Sequence, residues 1–327
     1  MEKNQIYWLM LIVGMWLFQG CSDEDTPEPQ WQYQPPVPAI TDGPSEAQRM
    51  CYRLWQKYDL HVYYNLSGDT ALRTGIGQTQ TSLINYNNPA ALPMQAADEA
   101  TAEKFLQLLS RFFALFPDEV VGKGLHRRQV LVKVNPANTR YLNETMSFYW
   151  LNTYAEDIQG IVYYGYLKNN GDTDNKLVSH LADWKWGICY GFLRGLAFSS
   201  RKPVLFPPDF GGISKGLYYS ENKSGKDVCM KYSFTSSGYL PVFDRTVGKL
   251  CGIVHPLGAL ATSKAPLDDF AAIAVWIMTV PKAERDADLA VYNRLKQKYL
   301  LVIDFYQKNY SLDLEELSVQ WQKIILE

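Results

Sequence analysis

Histidines and paired acidic residues are the side chains of this chain that could bind a metal or transfer a proton. The 327 residues contain four histidines, none close to another in sequence: His61, His126, His180 and His255. A metal role for His255, with His180 as its partner, is one interpretation, and a surface or capping role is the other. Asp268 and Asp269 precede an apolar segment. This predicts Asp268 as a helix N-cap with Asp269 in the first turn, and an active acid role is the alternative.

Four of the five cysteines lie well inside the chain and lack the C-x-x-C spacing of a zinc or redox site. They are Cys51, Cys189, Cys229 and Cys251. Outside the cytoplasm one or two disulfides are allowed, and buried free thiols are the alternative. The sequence leaves this pairing open.

The fifth cysteine, Cys21, ends a segment that resembles the signal peptide and lipobox of bacterial lipoproteins. Lys3 supplies positive charge, and Ile6–Phe18 is an apolar stretch of signal-peptide length. In lipoproteins the peptide is cut before the cysteine, whose thiol carries lipid such as palmitate. We therefore expect removal of residues 1–20 and lipidation of Cys21. The third position before the cysteine is Phe18, where Leu is usual, and an ordinary secretory signal with a chance cysteine is the alternative.

Residues 21–45 are predicted to form a proline-rich tether. The acidic run Ser22–Asp25 resembles the export signal of surface lipoproteins in Gram-negative gut bacteria. We expect an outer-membrane lipoprotein exposed on the cell surface, with the periplasmic face as the alternative. The net charge of −2 gives no footprint for nucleic acid. The expected partners are the membrane, through the lipid on Cys21, and a peptide, a glycan or a surface protein.

Residues 46–327 are predicted to form a single globular domain in three parts. An N-terminal α/β part extends to about residue 200, a stretch rich in Gly, Ser, Pro and Tyr at 201–265 is expected to be irregular, and the part at 266–327 is expected to be helical. Apolar periodicity predicts helices over 46–58, 100–116, 176–198, 267–278, 283–309 and 312–326, and strands over 60–64, 129–134 and 158–167.

Short segments spread through this domain resemble a family of predicted zinc-binding metallopeptidases that occur as Gram-negative surface lipoproteins. They are Tyr63–Asn65, Phe206–Phe210, Ile213–Ser214, Gly252–Val254, Asp268–Ala271, Asp304–Tyr306, Ser311–Leu314 and Leu317. Each segment alone is a weak signal, and the match depends on their order and spacing. The resemblance implies an α+β, zincin-like fold with a small mixed sheet, a central helix at the metal position and a helical C-terminal subdomain.

Members of that family that look active carry H-E-x-x-H on the central helix. Histidines at i and i+4 bind one zinc, and the glutamate takes a proton from the metal-bound water. The corresponding positions of this chain are Tyr190, Gly191 and Arg194, and Ala272 stands where a downstream acidic residue is expected. Neither glycine nor a protonated guanidinium can bind zinc, and H-E-x-x-H occurs nowhere in the chain. The resemblance therefore implies a degenerate pseudoenzyme, and we assign no metal, cofactor or catalytic residue.

Two further patterns each have two interpretations. Gly187, Gly191 and Gly195 line one face of the predicted central helix, which fits close packing of a neighbouring backbone or approach of a ligand. The aromatic content of 14% fits core packing or stacking on sugar rings. We expect a non-catalytic lipoprotein that binds a ligand or assists nutrient uptake. The alternatives are a zinc-dependent peptidase with an unconventional site and a glycan-binding lipoprotein.

Overall fold

A computed structural model describes residues 39–65, 94–134, 155–156, 162–167, 175–198, 206–218, 230–235, 238–255 and 265–325. The predicted signal peptide, the predicted lipidation site at Cys21 and most of the predicted tether lie outside the described residues. No helix in the described ranges has the length and apolar character needed to cross a membrane.

A mixed sheet of five strands forms the N-terminal part of the fold. The strands are β1 (His61–Tyr63), β2 (Met94–Ala96), β3 (Arg128–Val134), β4 (Ala155–Glu156) and β5 (Val162–Leu167). β3 pairs in parallel with β1 and with β5. β2 pairs antiparallel with β3, and β4 pairs antiparallel with β5. β1 and β2 follow each other along the same edge of β3. The expected small mixed sheet is confirmed. Of the strand predicted over 158–167, the structure describes residues 162–167, and they form β5.

Three helices accompany this sheet: α1 (Glu46–Tyr58), α2 (Glu99–Phe113) and α3 (Asp118–Gly124). α1 begins with a capping box, in which Ser45 and Gln48 each bind the other's backbone N–H, and its bounds are those predicted. The predicted helix over 100–116 ends earlier, at Phe113. The N–H groups of Leu115 and Phe116 bind carbonyls three residues back, so the chain tightens into a turn before Pro117.

The sequence predicted a mostly irregular stretch at 201–265, but most of the described residues there lie in helices or strands. Its described residues contain α5 (Asp209–Ile213), a hairpin of β6 (Met230–Thr235) and β7 (Gly238–Phe243), and α6 (Arg245–Cys251). The prediction rested on the Gly, Ser, Pro and Tyr content of the stretch, and a two-stranded hairpin, which has only edge strands, tolerates a proline such as Pro241. Before the stretch, α4 (Asn175–Ala197) is the predicted central helix and is confirmed within one residue at each end.

The C-terminal part is helical, as predicted, and contains α7 (Ala265–Thr279), α8 (Lys282–Val291), α9 (Asn293–Tyr310) and α10 (Leu314–Lys323). The single long helix predicted over 283–309 is wrong because Tyr292 is extended, with φ −104° and ψ 91°. Its N–H still binds the Asp288 carbonyl and its own carbonyl accepts from Lys296, so the break leaves both backbone groups bonded. Each helix can then turn its own buried residues inward, Arg285 from α8 and Leu295 from α9.

α7 lies at the centre of the core, where every residue from Phe270 to Met278 is buried. Such a helix has no solvent face and must be surrounded by other elements. It packs along α4 and α10 and also contacts α9 and α5. The fold is therefore α+β, with the central helix α4 held between the N-terminal part and the helical C-terminal part.

The glycine-lined face of α4 makes a close backbone contact at one described position. A Cβ placed on Gly195 would lie 2.4 Å from the carbonyl oxygen of Gly124 in α3, well inside van der Waals contact. A Cβ on Gly124 would in turn lie 2.7 Å from the Phe192 ring. At this position the packing interpretation of the glycines holds, because α3 and α4 approach too closely for a side chain.

The change Gly195→Ala is expected to lower the free energy of unfolding by about 1–3 kcal/mol, since α3 must move away from α4. Urea unfolding followed by circular dichroism measures this. Gly122→Ala is the matched control, because a Cβ there meets nothing within 4 Å. The control should be neutral or stabilising by up to about 1 kcal/mol through helix propensity. Equal effects of the two changes would contradict the close contact.

Candidate functional site

Tyr190 and Arg194 of α4 converge on one carboxylate oxygen of α7. The Tyr190 hydroxyl donates to Asp268 Oδ1 at 3.1 Å, and Arg194 Nε donates to the same atom at 2.9 Å. Residues four apart in a helix lie on one face, so both side chains reach the same point. These are two of the four positions that the sequence assigned to the degenerate site, and Asp268 joins them.

The Arg194–Asp268 ion pair is largely removed from solvent. The side chains are 11% and 15% exposed, respectively. Charges taken out of water carry a large desolvation cost, which a partner of opposite charge and good hydrogen bonds offset. The Tyr190 hydroxyl adds a second donor to the carboxylate, and this cluster joins helices whose residues are 74 or more positions apart.

Asp268 is not the N-cap that the sequence predicted. α7 begins at Ala265, so Asp268 lies within its first turn. Pro266, a residue suited to the first turn because it lacks the N–H that would be unbonded there, was the overlooked start signal. A carboxylate in that turn is favoured by the helix dipole, and its side chain is left available to bind Tyr190 and Arg194.

A stack of aromatic rings leads away from this cluster. Trp186 stacks on Tyr190 at 4.8 Å between ring centroids and on His255 at 4.3 Å, with interplanar angles of 12° and 23°. Trp186 and His255 are half-buried, so the stack reaches the surface. A role for Trp186 in the site was not predicted, although its position four residues before Tyr190 places both side chains on one helix face.

His255 is held as a neutral ring. Burial, together with a smaller effect of the nearby charge of Arg245, lowers the pKa of His255 to about 3. The backbone of His180 lies in α4, but its side chain is not among the described ones, so the predicted pairing of His180 with His255 stays a prediction. In the structure, the His255 ring stacks on Trp186.

The other two predicted site positions lie apart from the hydrogen bonds to Asp268. Gly191 is buried and lines a small cavity of about 10 Å³, together with Gln129, Tyr164 and Phe192 among others. That volume holds about one water molecule, and Gln129 Oε1 is a buried acceptor without a hydrogen-bond partner among the described residues. Ala272 is buried one turn after Asp268 on α7.

The donor set at the cluster does not fit a zinc ion. Zinc binds thiolate, imidazole or carboxylate, and a site needs at least three such groups converging on one point. Here a single carboxylate meets a guanidinium and a phenol that donates a hydrogen bond to it. Within the described ranges no three His, Cys, Asp or Glu side chains are grouped to hold a metal.

Asp269, the neighbour of Asp268, points to a different part of the fold. It is fully buried and pairs with Lys298 of α9, which is also fully buried. The Tyr218 hydroxyl donates to Asp269 Oδ2 at 2.9 Å, and Lys298 donates to that hydroxyl at 3.1 Å. Burial raises the pKa of the Asp269 carboxyl, while Lys298 opposes the shift. This interaction is structural and replaces the simple first-turn role predicted for Asp269.

Three of the four cysteines in the predicted domain lie among the described residues. Cys51, Cys189 and Cys251 are buried and form no disulfide with one another, while Cys229 lies outside the described residues. Of the two interpretations of these cysteines, buried thiols describe Cys51 and Cys189.

Comparison with known proteins finds a distant similarity of fold and no similarity of sequence family. No protein-family model and no curated protein sequence matches the chain. Among solved structures, the chain is similar to a predicted zinc-binding metallo-peptidase from Bacteroides caccae, with a TM-score of 0.53 and 15% sequence identity. The similarity covers 86% of this chain and 94% of that one. At this identity the likeness concerns the fold alone, and the chain has a fold distantly similar to that metallopeptidase.

Removing one partner of the buried ion pair should be costly. Asp268→Ala leaves Arg194 charged and almost enclosed, and we expect it to lower the free energy of unfolding by about 3 kcal/mol. The double variant Arg194→Met/Asp268→Leu fills the space with apolar groups and should lose less than Asp268→Ala alone. Urea unfolding of the three proteins measures both effects. A double variant less stable than the single one would contradict this account of the pair.

Proposed function

We propose that this protein is a lipid-anchored, non-catalytic relative of metallopeptidases that acts through binding at the cell surface. The observation that carries the proposal is the shared acceptor of Tyr190 and Arg194. Two positions spaced as the histidines of H-E-x-x-H both donate to Asp268 Oδ1. On this proposal, an ion pair with a supporting hydroxyl replaces the ion that a metal-binding relative would hold.

The chemistry of the cluster supports a loss of hydrolysis. A zinc-dependent peptidase needs a metal-bound water and a base that takes its proton. Gly191 stands at the position expected for that base and offers no acceptor side chain. Arg194 remains protonated at any physiological pH and already binds Asp268. The one carboxylate of the cluster, Asp268, already binds Arg194 and Tyr190 and has no metal-ligand set beside it among the described residues to activate a water.

A binding role is supported by the rings next to the cluster. Trp186 and His255 are half-buried and stack face to face, and the stack is continuous with the buried Tyr190. Partly exposed rings of fixed orientation offer contact area with little entropy to lose on binding. Because His255 stays neutral down to acidic pH, this surface is expected to favour an uncharged group.

Zinc analysis tests the loss of the metal site. Protein purified without chelator should contain far less than one equivalent of zinc by atomic emission and should not cleave a casein substrate. The variant Tyr190→His/Arg194→His places two imidazoles at i and i+4 facing Asp268, so it should retain more zinc than the wild type.

Each result has a distinct meaning. Zinc near one equivalent in the wild type, lost on changing His255 or His180, would overturn the non-catalytic proposal. If the wild type and the two-histidine variant both lack zinc, the match between these positions and a metal site would be wrong.

The lipid anchor has a separate test. In a Gram-negative host given an alkyne fatty acid, the full chain should be labelled and recovered in the membrane fraction, because the thiol of Cys21 would carry the acyl chains. Cys21→Ala should lose the label, whereas Cys51→Ala, which changes a buried thiol, should keep it. Labelling of both variants would refute lipidation at Cys21.

A further inference from the structure

A second surface feature lies where α1 ends beside α3. An open groove of about 760 Å³ is bordered by residues of the last turns of α1 and by Asp118 and Gly122 of α3. This volume is within the range of small-molecule sites, about 300–1,000 Å³. The groove shares no residue with the cluster of Tyr190, Arg194 and Asp268.

Aromatic rings form part of the groove wall. Tyr52 and Trp55 lie one turn apart on α1, with ring centroids 5.5 Å apart and planes tilted by 40°. Both side chains are half-buried, so each ring is partly shielded and still reaches solvent. Tyr58 completes the aromatic set, and its ring packs edge-on against the buried Phe113.

Polar groups stand beside these rings. Gln56, Lys57, Asp59 and Asp118 are exposed and border the groove. Lys57 Nζ lies 2.9 Å from Asp118 Oδ1, and the Tyr58 hydroxyl donates to the same oxygen at 3.0 Å. These contacts hold Asp118 in place, and its side chain remains 64% exposed.

The composition of the wall restricts the class of ligand. Lys57 pairs with Asp118 and Arg127 pairs with Asp59, so the charges at the groove balance, and it lacks the excess positive charge that attracts phosphate or another polyanion. The residues that border the groove include no aliphatic side chain. Aliphatic peptide side chains would therefore find no matching pocket, whereas a proline-rich peptide, which aromatic-lined grooves also bind, is a competing ligand that the test below must exclude.

We propose that this groove binds a neutral oligosaccharide. A pyranose ring presents a face of C–H groups that packs on an aromatic ring and a rim of hydroxyls that both donate and accept hydrogen bonds. Tyr52 and Trp55 supply the flat faces, and the Gln56 amide and the Asp118 carboxylate supply planar groups at the rim. Charged acceptors strengthen such hydrogen bonds to hydroxyls.

The test uses the full-length chain in detergent with maltoheptaose, cellohexaose, xylohexaose and mannohexaose as probes in titration calorimetry. At least one probe should bind the wild type. Trp55→Leu keeps an apolar side chain but removes the ring and should weaken that binding about tenfold or more. Trp55→Phe keeps an aromatic face and should stay within a few-fold of the wild type.

Two further variants show whether a loss of binding comes from the groove or from a folding defect of a Trp55 variant. Gln56→Ala changes an exposed side chain and should weaken binding several-fold, while Phe198→Ala removes an exposed ring elsewhere and should leave it unchanged. Circular dichroism of each variant confirms the fold. Absence of binding by all four probes, binding unaffected by Trp55→Leu and Gln56→Ala, or capture of peptides in place of sugars would overturn the proposal. None of these outcomes depends on zinc content.

Discussion

The arrangement of this fold depends on two adjacent carboxylates at the start of a helix that has no solvent face. Asp268 binds α4 through Arg194 and Tyr190, while Asp269 binds α9 through Lys298 and also binds Tyr218. Consecutive helical residues point about 100° apart, so the pair reaches two different neighbours. Because an unpaired charge in either place would be costly, the position of α7 relative to both partners is narrowly fixed.

This geometry also explains what the central helix can and cannot do. A metal site keeps one coordination position open for water or substrate, whereas a guanidinium and a hydroxyl bound to one oxygen form a closed interaction between protein groups. The cluster therefore stabilises the contact of α4 with α7 instead of presenting a reactive atom. In the proposed binding role, the ring stack that begins at Trp186 would be the surface beside this cluster that contacts a ligand.

Elements with strong local periodicity could be predicted from the sequence, and those fixed by distant contacts could not. The apolar spacing of Phe105, Leu109 and Phe112 gave α2, and all three are buried. Nothing local marks the break at Tyr292, where neither glycine nor proline occurs and each helix follows its own tertiary partners. The hairpin at 230–243 was missed because the Gly, Ser, Pro and Tyr content of the stretch predicted an irregular segment, although Met230, Tyr232 and Phe234 alternate along β6.

For the site, the spacing of Tyr190 and Arg194 was visible in the sequence, and their common partner was not. Asp268 is 74 residues from Arg194, and its local context at the start of an apolar segment indicated a cap. Pro266 places the helix start before Asp268, but only the packing of α7 on α4 shows that Asp268 is an ion-pair partner. The same holds for Trp186, whose stacking on His255 joins segments that no periodicity connects.

The buried cysteines have a chemical consequence for a protein expected outside the cytoplasm. Burial raises the pKa of the Cys51 thiol to about 12 and that of Cys189 well above its usual value. Since the thiolate is the species that exchanges or is oxidised, both sulfurs remain inert core atoms for as long as the domain is closed. An oxidising environment then modifies only molecules that have opened, and each modified thiol would hinder the return of that molecule to the native packing.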